Sequence, residues 1–263
     1  MSRFIDHLQR VSDSGGHAPM GFGRTHEERV PTLLPIPVLA AASPALVTAA
    51  LGAGAEVLLF PLNKGQDVQT LDPVLDLLKE KTWGVELAEP TLATVQALRE
   101  KGCDFVVLPL RATPVAVLRE QEIGKVLLVD STLDEKLARG IDHLDVDAVV
   151  SRVGGAGDLM VEQLLEHLYL FSLSGEHLVV ALPEKWAVGD LEEFRDHGAA
   201  GIAFTFSAPE AAEEFTRLRE AVSGLSPRKE RKHKGGVHAR VPYAGTGDSA
   251  EPDYDDDDDE EDY

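Results

Sequence analysis

One pattern repeats along most of this chain and leaves few folds open to it. A short run rich in Val, Leu and Ile is followed by a Pro, Asp, Ser or Thr cluster, then by an amphipathic stretch, then by a Gly or Asp and the next run. The runs are Val38–Ser43, Glu56–Pro61, Thr82–Glu89, Asp104–Leu110, Lys125–Asp130, Asp147–Ser151, His177–Pro183 and Ile202–Phe206. Helix-patterned segments follow them: Pro44–Leu51, Pro73–Glu80, Thr91–Lys101, Pro114–Gln121, Asp134–Ile141, Leu159–Phe171, Asp190–His197 and Pro209–Val222. The runs are almost continuously apolar, as parallel strands buried on both faces require. Short apolar runs are compatible with helix or strand, and here length, β-branched content and flanking Gly and Pro decide for strand.

The segment boundaries carry their own signals. Pro44, Pro73, Pro114 and Pro209 stand where a first-turn residue needs no N–H donor. Ser43, Asp72 and Thr113 precede three of them and suit the N-cap. Gly52, Gly102 and Gly198 follow helix ends, where a left-handed residue is common. Three joints are alike: Gly54–Pro61, Gly102–Pro109 and Gly198–Thr205 each read as a glycine, a short polar or small-residue step and an apolar strand. The internal repeat therefore has the period of one β/α unit.

Eight such units in about 190 residues, roughly 36–225, resemble the smallest aldolase-type TIM barrels, the (β/α)8 fold. The resemblance is at superfamily level and points to no one family. An open doubly wound sheet is the alternative. It usually has fewer units and a Gly-rich first turn, and neither applies here. The expected organisation is an N-terminal arm over 1–35, the barrel over 36–225 and a tail over 226–263. Within the arm, Phe4, Ile5, Leu8 and Val11 fall at helical spacing, which predicts a short amphipathic helix over 3–12 that plugs the bottom of the barrel or packs on its side. The segment 13–37, with its Gly and Pro clusters, reads as irregular chain.

Charge divides the chain further. The formal net charge is −21, yet 228–240 carries a net +5 and 248–263 carries eleven acidic residues with no basic one, which leaves −15 on residues 1–227. Like-charge blocks of this kind do not fold alone, so the tail is expected to be disordered, basic then acidic. It is a candidate for contact with a protein partner, or a solvating tail. An acidic barrel opposes nucleic-acid binding. No apolar run approaches the roughly 18 residues a membrane span needs, and the N-terminus does not read as a secretory signal. One cysteine, Cys103, excludes a disulfide framework and fits a reducing, cytoplasmic compartment.

The barrel resemblance implies where chemistry belongs: the C-terminal ends of the strands and the loops that follow them. Cys103 and Lys125 fall at strand starts and are discounted as nucleophile and Schiff base. Glu86 is the first candidate. In Thr82–Glu89 strict alternation puts Trp83, Val85 and Leu87 on one face and Gly84, Glu86 and Ala88 on the other. The small face suits the crowded interior, so Glu86 points into the barrel, where desolvation suits a carboxyl to general acid or base work. A buried Glu held by a structural partner is the alternative. Asp130 ends the strand run two along and completes a carboxylate pair, or binds a divalent metal with Glu89, or merely starts a loop turn. Arg111 and Arg152 close two more strands with guanidinium forks that match carboxylate or phosphate oxygens. After Arg152 the Gly-rich turn containing Gly154 and Gly155 leads into a helix and is an anion-site candidate, or an ordinary flexible loop. Thr205 and Ser43 would orient a substrate.

Several chemistries lack their signatures. The turns Pro183–Trp186 and Ser207–Glu210 have no glycine pair, so the phosphate cup familiar from many barrels is missing. Nine histidines include no pair with ligand spacing at a strand end. No nucleophile elbow, Rossmann fingerprint or Walker motif is present. The expectation is an isomerase or lyase acting on a small anionic carbonyl metabolite, phosphorylated or carboxylated, through carboxylate acid/base chemistry. It needs no metal and no cofactor, and a flavin or nucleotide site has only the fold in its favour. The alternative is a non-catalytic barrel that assembles with partners through its arm and charged tail.

Overall fold

In the computed structural model, residues 2–14, 31–130, 133–152, 159–174, 177–183 and 185–226 are described. The tail, and Ser131, Thr132, Gly154, Gly155 and Glu184, lie outside the described residues. Eight strands close into one parallel barrel in sequence order. They are β1 (Leu34–Leu39), β2 (Val57–Leu62), β3 (Thr82–Leu87), β4 (Phe105–Pro109), β5 (Gly124–Val129), β6 (Ala148–Arg152), β7 (His177–Ala181) and β8 (Ala199–Phe206). The α-helices are α1 (Arg3–Ser14), α2 (Pro44–Gly52), α3 (Leu75–Leu78), α4 (Leu92–Glu100), α5 (Glu135–Gly140), α6 (Val161–Ser174), α7 (Val188–Asp196) and α8 (Ala211–Gly224). The second unit is mainly a 3-10 turn, Val68–Val74, running into α3, and the fourth has only the 3-10 turn Val115–Arg119. The chain is thus a (β/α)8 barrel in which two of the helical segments are abbreviated.

The first strand differs from the expected one. It begins at Leu34 rather than Val38, so two prolines read as irregular chain lie inside β1. Successive residues of a parallel strand address opposite neighbours, so Pro35 and Pro37, two apart, withhold their N–H groups from the same side. Six residues of β1 register with β8, but only Val38 with Leu59 registers with β2. The prolines are tolerated because the β1–β8 ladder carries the closure.

Alternation then sorts the core into two layers. Leu34, Ile36, Val57, Phe105, Val126 and Val150 fill the interior together with Phe4, Leu8 and Val11 of α1. Trp83, Val85 and Leu87 face the helix layer. The helix expected over 3–12 therefore plugs the barrel. Phe4 stacks on Phe105 with ring centroids 4.0 Å apart. Asp104, just before β4, accepts hydrogen bonds from the Arg3 and Phe4 N–H groups at 3.0 and 2.8 Å and from Ser2 Oγ at 2.7 Å. A carboxylate outside the helix thus satisfies its orphan N-terminal donors. Arg3 donates to the carbonyls of Glu80 and Lys81, ahead of β3. Every one of these contacts lies at the strand starts, which leaves the opposite mouth to the loops.

The caps follow the sequence signals in part. Ser43 is the N-cap residue of α2, with Pro44 next, though its side chain makes no capping hydrogen bond. Asp72 sits inside the 3-10 turn and pairs with Lys101 at 2.6 Å, and Thr113 donates to the Pro109 carbonyl at 2.8 Å. Thr91 caps α4 instead, accepting from the Thr94 N–H at 3.1 Å. Among the described residues no helix is long and apolar enough to cross a membrane.

Candidate functional site at the strand C-termini

The barrel mouth is built from the last inward-facing residue of each strand. On β3 the face opposite Trp83, Val85 and Leu87 carries Gly84 and Glu86. Gly84 lies against the interior ring of Phe105: an added Cβ would stand 2.5 Å from it. Glu86 is one step nearer the mouth on the same face. On β6, Ala148 and Val150 belong to the interior core, so the same alternation turns Arg152 inward at the strand end. The two meet: Arg152 Nη2 donates to Glu86 Oε1 in an ion pair that joins β3 to β6 across the mouth. The Glu86 side chain is 17% exposed and that of Arg152 54% exposed, so the carboxylate is the sheltered partner and the guanidinium the open one.

Beside this pair a cavity of about 310 Å³ opens over the ends of β4, β5 and β6. Its lining is Pro109, Leu110, Arg111, Leu128, Val129, Asp130, Leu133 and Arg152. The two arginines and the aspartate singled out from sequence thus share one cavity, and Arg152 links it to Glu86. Arg111 and Asp130 are exposed at the rim, while Val129 and Leu133 are buried in the wall. The Leu110 N–H donates to the Leu128 carbonyl at 3.2 Å, and the Leu133 N–H to the Asp130 carbonyl at 3.2 Å. The first bond ties the loop after β4 to the end of β5, and the second folds the loop after β5 back on its own strand end.

Other expected residues stand apart from this cavity. Ser43, at the start of α2, and Thr205, near the end of β8, do not line it. Thr205 registers with Val38 of β1, on the opposite side of the ring from β4 and β5. Glu89 pairs with Lys64 at 2.7 Å between the loops after β2 and β3, both side chains largely exposed, and does not line the cavity with Asp130. Among the described residues no group of three or more His, Cys, Asp or Glu could hold a metal. The discounted residues are where the strand order places them. Lys125, at the start of β5, bonds Asp145 at 2.5 Å and the Leu118 carbonyl at 3.1 Å. Cys103, just before β4, is buried, and burial pushes its thiol far above the ordinary range.

The apolar wall was the part missed from sequence. Leu110 and Leu133 follow strand ends in segments otherwise rich in turn residues, and an apolar residue there is the signal that was available. The link between Glu86 and Arg152 had a fainter one: both fall on the inward parity of their strands at the last turn.

No family model matches the chain, and no curated protein matches it. Solved structures do. A single-site mutant of the tryptophan synthase alpha-subunit from the hyperthermophile Pyrococcus furiosus aligns with a TM-score of 0.59 at 13% identity, covering 73% of this chain and 98% of that one. Another structure of that subunit gives a TM-score of 0.60 at 12% identity, covering 74% and 99%. A protein of Aquifex aeolicus VF5 gives 0.59 at 12% identity, covering 85% and 98%. At these identities the likeness shows a shared fold: a (β/α)8 barrel like that of the tryptophan synthase alpha-subunit.

Proposed function

We propose that the chain is an enzyme, an isomerase or lyase that moves protons on a small anionic carbonyl compound, carboxylated or phosphorylated. The observation that carries this reading is the convergence of Arg111, Asp130 and Arg152 on one cavity at the strand C-termini, with Glu86 bound to Arg152 beside it. In this fold the C-terminal face is where active sites are built, and the alignment with an enzyme subunit of the same fold adds support by analogy. Arg111 and the exposed side of Arg152 hold the substrate anion through charge-assisted hydrogen bonds. Glu86 takes the proton from the carbon beside the carbonyl. Asp130, at the rim, carries the proton at the carbonyl oxygen, so that an enolic intermediate forms without free charge. Ser43 and Thr205 have no part in this version of the site. With a lone, buried cysteine, we place the reaction in the cytoplasm.

A non-catalytic assembly role is the second reading. The plugging of the barrel by α1 weighs against the arm as its docking element, because Phe4, Leu8 and Val11 are spent on the interior. The charged tail would then have to carry the partner.

The test is a melting-temperature survey of the full chain with small carboxylates and sugar phosphates, repeated on Arg111→Ala. Exposed Arg111 can be removed without disturbing the core, so a ligand-dependent rise in the parent that is lost in the variant is expected. No rise with any compound would remove the site.

A further inference from the structure

Deepening the reading above, and resting on it, we infer that the substrate is a monocarboxylate with an apolar body, such as an oxo acid bearing a branched or aromatic side chain, rather than a hydroxylated sugar phosphate. Two independent features of the cavity point there.

The first is the wall. Pro109, Leu110, Leu128, Val129 and Leu133 make up all of the described lining apart from its three charged residues, with no Ser, Thr, Asn, Gln or His among them. The backbone adds little to receive a hydroxyl. Pro109 has no N–H, and the N–H groups of Leu110 and Leu133 are committed to the carbonyls of Leu128 and Asp130. Beyond what Arg111, Arg152 and Asp130 can pair, a polyhydroxylated chain against this described wall would exchange water for unpaired contacts, at a cost for each such hydroxyl. An alkyl or aryl chain would instead remove the half-buried Leu110 and Leu128 from water. A volume of about 310 Å³ is at the small end for ligand pockets, enough for a side chain of several carbons beside a carboxylate.

The second is the charge. Arg111, Arg152, Glu86 and Asp130 share this mouth, so with Asp130 protonated as the proton donor the four side chains of the proposed machinery carry a formal +1. A single negative head, held by the two guanidinium forks, neutralises that charge. A phosphate or bisphosphate brings more negative charge beside the Glu86 carboxylate, in a barrel that is itself acidic. The missing glycine pairs at 183–186 and 207–210 agree with this, since no turn there is adapted to a phosphate.

Calorimetric titration of the full chain with pyruvate, 4-methyl-2-oxopentanoate, phenylpyruvate, ribose 5-phosphate and fructose 1,6-bisphosphate tests the inference. Each buried methylene strengthens binding about fourfold. We expect 4-methyl-2-oxopentanoate to bind at least about tenfold more tightly than pyruvate, with neither phosphate ester competing, and Arg111→Ala to abolish the binding. Tighter binding of either phosphate ester, or of pyruvate, when lost in Arg111→Ala, overturns the substrate class and leaves the anion site standing. Binding of none of the five, or binding indifferent to Arg111→Ala, overturns both.

Discussion

Gly84 shows what a single position in the barrel interior can demand. Its missing Cβ is occupied by the edge of Phe105, which in turn stacks on Phe4 of the plugging helix. A methyl group would have to displace a buried ring that cannot swing away. Gly84→Ala is therefore expected to destabilise the fold by about 1–3 kcal/mol, as overpacking does, read from denaturant midpoints at unchanged slope. A gain in stability would show that the interior has slack. His167 is the other telling residue. It is buried on α6, packs edge-on against Phe194 of α7, and neither ring nitrogen has a hydrogen-bond partner among the described residues. Burial alone lowers its pKa to about 4 from 6.5. The unfolded chain therefore binds a proton between these values that the folded chain refuses. The stability is fully present above pH 6.5 and is lost as the pH falls towards 4, by about 3 kcal/mol over that window. Comparing acid unfolding of the parent with that of His167→Leu isolates the effect from the carboxylates. Equal pH slopes for the two proteins would refute it.

At the scale of elements, the helix α1 was legible from four apolar residues at helical spacing, but its anchor was not. Asp104 is a hundred residues away and looks like a strand-edge polar residue, yet it caps the N-terminus of α1 through two backbone N–H groups and Ser2. Asp104→Ala should cost about 1–2 kcal/mol, as loss of an N-cap does. It should also raise amide exchange in residues 4–8 well before the barrel strands open, and uniform exchange across the molecule would contradict the capping role. Most strands were readable to within one or two residues, because a buried parallel strand needs an unbroken apolar run whatever its neighbours. The exceptions were β8, which begins at Ala199 rather than Ile202, and β1, whose Pro35 and Pro37 read locally as irregular chain. Only the one-sided pairing with β8 makes them acceptable. The fourth helical segment shrank to the 3-10 turn Val115–Arg119, where amphipathic spacing alone cannot distinguish one helical turn from three.

For the whole molecule, the acidic surplus sets a general property. With a net −15 on residues 1–227, self-repulsion opposes compactness at low salt. Raising the ionic strength from about 0.01 M to about 0.15 M shortens the screening length from about 30 to about 8 Å. The melting temperature should rise by a few degrees, whereas a fall would mean that surface pairs such as Lys64–Glu89 outweigh the repulsion. The sequence by itself determined that eight parallel strands follow one another and, in β3, which parity faces inward. Both are properties of short stretches of chain: burial on two faces selects the apolar runs, and a period of two selects the face. Only the tertiary structure decided that Glu86 of β3 meets Arg152 of β6, and that the cavity lies to one side, over β4 to β6, away from Ser43 and Thr205. Closure of the ring and the stagger of its strands set which inward residues share a level at the mouth, and no local pattern carries that stagger.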